Sequence, residues 1–195
     1  MPAAGLVVLG GRMGAHDDDE APWLPATRDL LGAAVADGTP TLGVCLGAQL
    51  LAVACGGRVE VGASGIEAGV VDVRWRAEAA QDPLFGGHPS GGSSPGPSMH
   101  QDAVVELPPG ALWLGETPQY PHQAFRVGSR AWGVQFHPEA SPTTFRGWSA
   151  THADDWPRWG LDGDEVVAQL ERRDEEVVEA GRRLAVRFAA LLARE

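Results

Sequence analysis

The sequence predicts a single α/β domain, residues 1–195, with a mainly parallel central sheet flanked by helices. Two short apolar runs, Gly5–Gly10 and Thr41–Val44, are typical of strands that are buried on both faces. A helical pattern over Ala48–Ala54 follows the second run almost at once, and a third run, Ala131–Phe136, lies further along the chain. Strands that alternate with helices favour a parallel sheet. A chain of 195 residues is long enough to bury one core.

Three further segments follow in chain order. Apolar residues at helical spacing predict a helix over Ala26–Asp37. Short alternating pieces such as Gly69–Trp75 predict strands in the middle of the chain. The low-complexity stretch PSGGSSPGPS predicts a flexible loop over residues 89–98.

The end of the chain has the pattern of an amphipathic helix, predicted over residues 164–195. Its apolar face is formed by Val177, Leu184, Phe188 and Leu191. Three tryptophans, Trp148, Trp156 and Trp159, lie before this helix and are predicted to be packing residues.

The composition excludes several classes of function. The net charge of −11 at pH 7 argues against a nucleic-acid partner, because phosphates are bound by clustered Lys and Arg. No apolar run approaches the roughly 18 residues that cross a membrane. The two cysteines are too few for a disulfide framework, so we expect a reducing, cytoplasmic location.

Cys45 lies between a predicted strand and a predicted helix, in the pattern Gly43-Val44-Cys45-Leu46-Gly47. A nucleophile on such a turn needs small residues two positions before and after it, because the turn is sharp and crowded. Leu46 would then supply an N–H group to an oxyanion, and the helix N-terminus favours a thiolate. A packed core cysteine is the alternative. Cys55 has no such pattern and is predicted to be structural.

His137 and Glu139 follow the predicted strand that ends at Phe136. A histidine with a carboxylate two residues later can serve as the base for a thiol and as the group that orients that base. A structural histidine fits this pattern equally well. Gly10 and Gly11 end the first strand, and they either bring N–H groups close to an oxyanion or form only a turn.

Together these features resemble class I, triad-type glutamine amidotransferases, a family that includes the glutaminase domain of GMP synthetase. The segments that carry the resemblance are LVVLGGRMG, PTLGVCLGAQLLA and WGVQFHPE, with weaker support from GIEAG, MHQDAVVELPPGA and HQAFRVG. The resemblance runs from about Gly5 to Trp148, and the C-terminal helix fits it too. It implies a flavodoxin-like fold without a metal or an organic cofactor.

The resemblance also implies a catalytic role for each matching residue. Cys45 attacks the side-chain amide of glutamine, forms a γ-glutamyl thioester and releases ammonia. His137 takes the thiol proton and passes it to the leaving ammonia, while Glu139 orients His137. The N–H groups of Gly11 and Leu46 form the oxyanion hole.

The same resemblance implies a substrate-binding set. Gln49 matches the position that holds the substrate glutamine, and Gly10 lies in the glycine loop beside it. His100 and Asp102 fall where relatives often have a His-x-Asp segment near the site. The ammonia is expected to serve a separate synthetase or acceptor enzyme.

Two departures from the family pattern stand near the N-terminus. The family usually has Pro after the glycine pair, where this chain has Arg12, and the change alters the rigidity of the loop. Relatives also carry a β-α unit before the strand that ends in the glycine pair, whereas here that strand starts close to Met1. We therefore expect a family member without its first β-α unit, through a misassigned start codon, a truncation or a real short variant.

Three functions fit the sequence. The first is a glutaminase-type amidotransferase. The second keeps the same triad but acts on another γ-glutamyl amide, as γ-glutamyl hydrolases do. The third is a non-catalytic interaction subunit that keeps the fold. The intact Cys45, His137 and Glu139 favour an enzyme, and Gln49 favours glutamine as its substrate.

Overall fold

A central sheet of seven strands organises the protein in a computed structural model that describes residues 4–88 and 91–193. The strands of the described residues are β1 (Leu6–Val8), β2 (Thr41–Val44), β3 (Arg58–Val61), β4 (Glu67–Trp75), β5 (Ser93–His100), β6 (Asp102–Glu106), β7 (Leu112–Glu116), β8 (Ala124–Val127) and β9 (Ala131–Val134). The order across the sheet is β1-β2-β9-β8-β7-β4-β5, while β3 and β6 form a separate pair. The predicted α/β fold is confirmed.

The helices cover both faces of this sheet. They are α1 (Leu24–Ala36), α2 (Leu46–Ala54), α3 (Pro142–Thr151), α4 (Trp156–Trp159), α5 (Gly163–Arg172) and α6 (Asp174–Leu192), with a 3-10 helix at Ala77–Gln81. Trp132 of β9 packs in one core with Phe188 of α6, whereas its neighbour Ala131 packs in another core with Leu31 of α1 and Leu50 of α2. Successive strand residues point to opposite faces, so α1 and α2 lie on one face and α6 on the other. None of the helices in the described ranges is long and apolar enough to span a bilayer.

The prediction of a mainly parallel sheet is wrong. Only β1 with β2 and β2 with β9 are parallel, and the other four pairs of the sheet are antiparallel. The reason is the length of the connections. Parallel neighbours need a crossover of a dozen or more residues, whereas β8 and β9 are joined by residues 128–130 alone, which suffices only for a hairpin.

The predicted loop over 89–98 is also wrong for most of its length. Residues 89 and 90 lie outside the described residues, but 93–98 belong to β5, which pairs with β4 from Ser93 to His100. Pro95 and Pro97 are tolerated because β5 is an edge strand. The N–H group that a proline lacks would have no second neighbouring strand to donate to. On its outer side, the carbonyl of Pro97 accepts the backbone N–H of His137 at 2.7 Å.

The predicted C-terminal helix is two helices, α5 and α6, which are separated at Arg173; residues 194 and 195 lie outside the described residues. Arg173 has non-helical backbone angles of φ −114° and ψ 16°, and its guanidinium donates to the Asp72 carboxylate of β4 at 2.8 Å. This anchor turns the chain between the two helices. The predicted apolar face of α6 is confirmed, since Val177, Leu184, Phe188 and Leu191 are all buried.

Candidate active site

Cys45 stands on the turn that joins β2 directly to α2. Its φ is 50°, the only positive φ of a non-glycine residue in the described ranges, with ψ at −109°. Backbone angles of this kind cost a non-glycine residue about 1–3 kcal/mol, and they are typical of turns that carry a functional residue. The backbone N–H of Cys45 donates to the Val134 carbonyl of β9 at 2.8 Å, which fixes the turn at the carboxyl end of two neighbouring strands.

The two glycines around Cys45 are needed for close backbone approach. A Cβ on Gly43 would overlap the carbonyl of Gly47, and a Cβ on Gly47 would overlap the carbonyl of Val8 in β1. The spacing of small residues in the sequence therefore has the predicted steric cause. Cys55, by contrast, caps the end of α2 and is half-buried, and burial raises the pKa of its thiol.

His137 and Glu139 lie beside Cys45, just beyond the end of β9. The Nδ1 atom of His137 is 2.8 Å from Oε1 of Glu139, so Nε2 is the ring nitrogen left for the thiol of Cys45. Gly10 is close to both, because a Cβ there would be 2.8 Å from the His137 ring and 3.5 Å from the Cys45 Cβ. The structure thus brings the predicted thiol, base, carboxylate and glycine loop together.

The protonation of His137 follows from its surroundings. Burial opposes the charged ring, but the hydrogen bonds to Cys45 and Glu139 outweigh it and raise the pKa of His137 to about 9. The ring of Trp148 also packs against His137, with centroids 4.6 Å apart. Trp148 is a packing residue as predicted, but no sequence pattern indicated that it packs against the candidate base.

The predicted oxyanion donors lie at the start of α2. Leu46 is its first residue, so its N–H has no partner within the helix. Gly11 lies against Leu46, since a Cβ on Gly11 would be 2.8 Å from the Leu46 Cδ2 atom. Both Gly10 and Gly11 are exposed, whereas Leu46 is buried. Backbone amides at a helix N-terminus suit a developing negative charge.

Gln49 is buried one turn into α2. Its amide nitrogen donates to the Asp102 carbonyl at 2.9 Å and to Oε1 of Gln135 at 3.3 Å. Gln135 in turn donates to the Cys45 sulfur at 3.7 Å. The contact between Gln135 and Cys45 was not predicted, although a glutamine that directly follows an apolar strand is a pattern that indicates a polar role.

His100 is buried, and it is linked to Gln49 by the Asp102 carbonyl, which both side chains contact. Its Nδ1 atom lies 2.9 Å from the Asp102 carbonyl oxygen, and its Nε2 atom lies 3.0 Å from Oε2 of Glu67. The carboxyl of Asp102 is half-buried, and burial together with the charge of Asp17 raises its pKa. Glu67 was also missed, because nothing in the local pattern GIEAG marks a buried carboxylate. Across 4–88 and 91–193, no three His, Cys, Asp or Glu side chains are grouped as metal ligands.

This arrangement brings together a thiol, a histidine with its carboxylate and the amides of a helix N-terminus, which are the kinds of group that acyl transfer uses. The family model described as "Glutamine amidotransferase class-I" matches residues 3–148. The chain therefore belongs to the class I glutamine amidotransferase family.

Individual relatives agree with this assignment. The glutamine-hydrolyzing GMP synthase of Chromobacterium violaceum is 34% identical over 157 residues, covering 72% of this chain and 29% of that protein. The corresponding protein of Thermus thermophilus is 38% identical over 140 residues, covering 71% of this chain and 25% of its own length. This chain therefore spans less than a third of these curated relatives.

A solved structure shows the same architecture. The crystal structure of a glutamine amidotransferase from Methylobacillus flagellatus superposes with a TM-score of 0.85 at 27% identity. The superposition covers 99% of this chain and 78% of that one.

Proposed function

We propose that this protein hydrolyses the side-chain amide of glutamine to glutamate and ammonia through a thioester on Cys45. The observation that carries the proposal is the strained Cys45 turn with the hydrogen-bonded pair of His137 and Glu139 beside it. Membership of the class I glutamine amidotransferase family supports glutamine as the substrate.

In the first half-reaction, the Cys45 sulfur bonds to the amide carbon while His137 holds the thiol proton. The charge on the carbonyl oxygen is stabilised by the N–H groups of Leu46 and Gly11. His137 then gives its proton to the amide nitrogen, the carbon–nitrogen bond breaks, and ammonia leaves. Glu139 keeps the ring oriented and stabilises it in the charged form.

In the second half-reaction, water attacks the γ-glutamyl thioester and gives a proton to His137. The carbon–sulfur bond breaks, glutamate leaves, and the proton returns to the sulfur. The substrate is held by Gln49 and by the backbone at Gly10, which lies against both His137 and the Cβ of Cys45. No cofactor takes part in these steps.

The ammonia is proposed to serve a separate synthetase. Two relatives are named glutamine-hydrolyzing GMP synthases, and this chain matches only 25% to 29% of their length. A protein that corresponds to the remainder of such a relative is therefore the proposed user of the ammonia. Both cysteines are free thiols, and we infer a reducing, cytoplasmic location.

The decisive test is ammonia release from glutamine by the wild type, Cys45→Ala and Cys55→Ala. We expect Cys45→Ala to lose roughly a thousandfold or more in turnover, while Cys55→Ala, which removes a half-buried thiol at the other end of α2, keeps its rate within about twofold. Equal rates for wild type and Cys45→Ala exclude the thioester route. A wild type that cleaves other γ-glutamyl amides faster than glutamine excludes glutamine as the preferred substrate.

A further inference from the structure

A cavity outside the candidate active site lies between α6, β5 and the turn that follows the 3-10 helix. Its volume is about 90 Å³, and none of the residues placed in the candidate site lines it. The steps proposed above make no use of it. Most of its wall is apolar, and the buried side chains that form this wall include Trp75, Leu84, Phe85, Phe136, Val177 and Leu184.

Two arginines of α6 stand at the rim of this cavity. Arg183 and Arg187 are four residues apart, so they lie on the same face of the helix, and both are exposed. The Nη1 atom of Arg187 is 3.5 Å from the Leu84 carbonyl oxygen, and a Cβ on Gly87 would be 3.2 Å from its Nη2 atom. The Arg187 guanidinium therefore lies over the turn that forms one wall of the cavity.

The positive charge at this rim is poorly balanced. Within residues 4–88 and 91–193, no carboxylate forms an ion pair with Arg187, and Arg183 has one long contact of 3.6 Å with Glu179. A net charge of −11 for the whole chain makes such an excess of cations unusual here. Two neighbouring guanidinium groups without close acidic partners favour an anion at the rim.

A neutral donor completes the wall beside the arginines. The ring of His88 stacks on Trp75 with centroids 4.9 Å apart, and its nitrogens have no hydrogen-bond partner in the described part of the chain. Burial, and then the charges of Arg183 and Arg187, lower the pKa of His88. The ring therefore has an N–H group that is free to donate to a ligand.

The size of the cavity limits what it can hold. An engineered protein cavity of about 150 Å³ holds a benzene ring, and this one is smaller. Its apolar wall favours a hydrocarbon body, which in this volume is an aliphatic chain of about three or four carbons. The group at the end of that chain must suit the arginines, and a carboxylate matches the fork of a guanidinium.

We propose that this cavity binds a small carboxylate with a short aliphatic chain. The chain lies against Trp75 and Leu184, and the carboxylate pairs with Arg183 and Arg187. This binding does not depend on the proposed glutaminase function. Two residues of the wall, Phe136 and Pro138, are the chain neighbours of His137, so the ligand would contact the segment that carries the candidate base.

The direct test is a titration with butanoate followed by NMR. The indole N–H of Trp75 donates to the Ser94 hydroxyl at 2.9 Å, and its signal is assigned by its loss in Trp75→Phe. We expect a saturable shift of this signal in the millimolar range. Acetate lacks two methylene groups and should bind about 10-fold more weakly. Butanamide lacks the charge and should bind about 10-fold more weakly as well.

Three outcomes of this titration overturn the proposal. A butanoate shift that does not saturate means that the cavity has no site. Acetate, inorganic phosphate or butanamide binding as tightly as butanoate means that the chain or the charge is not recognised. A Trp75 signal that shifts with protein concentration alone assigns the cavity to a second copy of this chain instead.

The role of the rim is tested by charge removal on α6. Arg183→Gln and Arg187→Gln should each weaken butanoate binding about 5-fold or more, because each removes a charged donor. Arg182→Gln is the matched control, since Arg182 is exposed on the same helix but does not line the cavity. It should keep the affinity within about twofold. An equal loss in Arg182→Gln and Arg187→Gln contradicts the rim assignment.

The role of the apolar wall is tested by filling the cavity. Ala180 lines it and is half-buried, so Ala180→Leu should weaken butanoate binding about 10-fold or more by occupying the space of the chain. Ala189→Leu adds the same side chain at an exposed position of α6 outside the cavity and should bind as wild type. Thermal melts verify that each variant is folded. Unchanged binding by folded Ala180→Leu excludes this cavity as the site.

Discussion

The side-chain amide of Gln135 donates to the Cys45 sulfur across 3.7 Å and accepts from Gln49 at 3.3 Å. One buried amide therefore contacts both the candidate nucleophile and the candidate substrate-binding residue. A donor aimed at the sulfur favours negative charge there. Gln135 lies two residues before His137, so a single strand end supplies both the base and this donor.

Gln135→Leu should lower kcat/KM for glutamine about 10- to 100-fold, because a hydrogen bond to a charged group contributes about 1.5–3 kcal/mol. Steady-state ammonia release measures the effect. Gln169→Leu, a half-buried glutamine on α5, is the control and should behave as wild type. A Gln135→Leu variant with unchanged kcat/KM would show that this amide has no part in the chemistry.

Trp148→Ala should lower kcat about 10-fold with little change in KM, because the His137 ring loses the surface that holds it in place. Trp148→Phe keeps an aromatic face and should retain most of the activity. The matched control is Trp159→Ala, since Trp159 contacts Trp156 and His152 rather than His137. The idea fails if Trp148→Ala and Trp159→Ala have the same kcat.

The free energy of unfolding should fall as pH rises from about 6.5 to about 9. The pKa of His137 is raised to about 9 in the folded protein, so the charged ring stabilises the fold fully below the ordinary value of 6.5. This stabilisation is lost as the pH rises through the folded-state pKa of about 9, and it amounts to at most about 3 kcal/mol. Urea unfolding at several pH values measures it. His137→Asn should show a flatter profile, and identical slopes in both proteins would contradict the assignment.

Gly47→Ala should destabilise the fold by about 1–3 kcal/mol or more, because the new methyl group overlaps the Val8 carbonyl and pushes β1 away from the Cys45 turn. Gly147→Ala is the matched control, since this helical glycine in α3 has open space around its Cβ position. It should stabilise the protein by up to about 1 kcal/mol. Chemical denaturation compares the two, and a Gly47→Ala variant as stable as wild type refutes the crowding argument.

The sequence was most informative where one short segment determines the geometry. The Cys45 turn was predictable because its glycine spacing, its strand and its helix are contiguous, and the structure shows the steric overlap that the spacing avoids. The contact between Glu139 and His137 was predictable for the same reason, since only Pro138 lies between them in the chain.

Features that depend on distant residues could not be predicted from local patterns. Gln49 and Gln135 are 86 positions apart, and Glu67 and His100 are 33 apart, so each contact exists only after the sheet has formed. The strand β5 was missed because its Ser, Gly and Pro content indicates a loop, whereas pairing along the whole of Glu67–Arg74 makes it a strand. Composition reports the intrinsic preference of a segment, and the neighbouring strand overrides it.

The hydrogen bond from the His137 backbone to Pro97 ties the base to the outermost strand of the sheet. The far end of the sheet thus serves as an anchor for the candidate base. A shift of β5 at Pro97 would carry the His137 main chain with it, because this bond joins the two backbones directly.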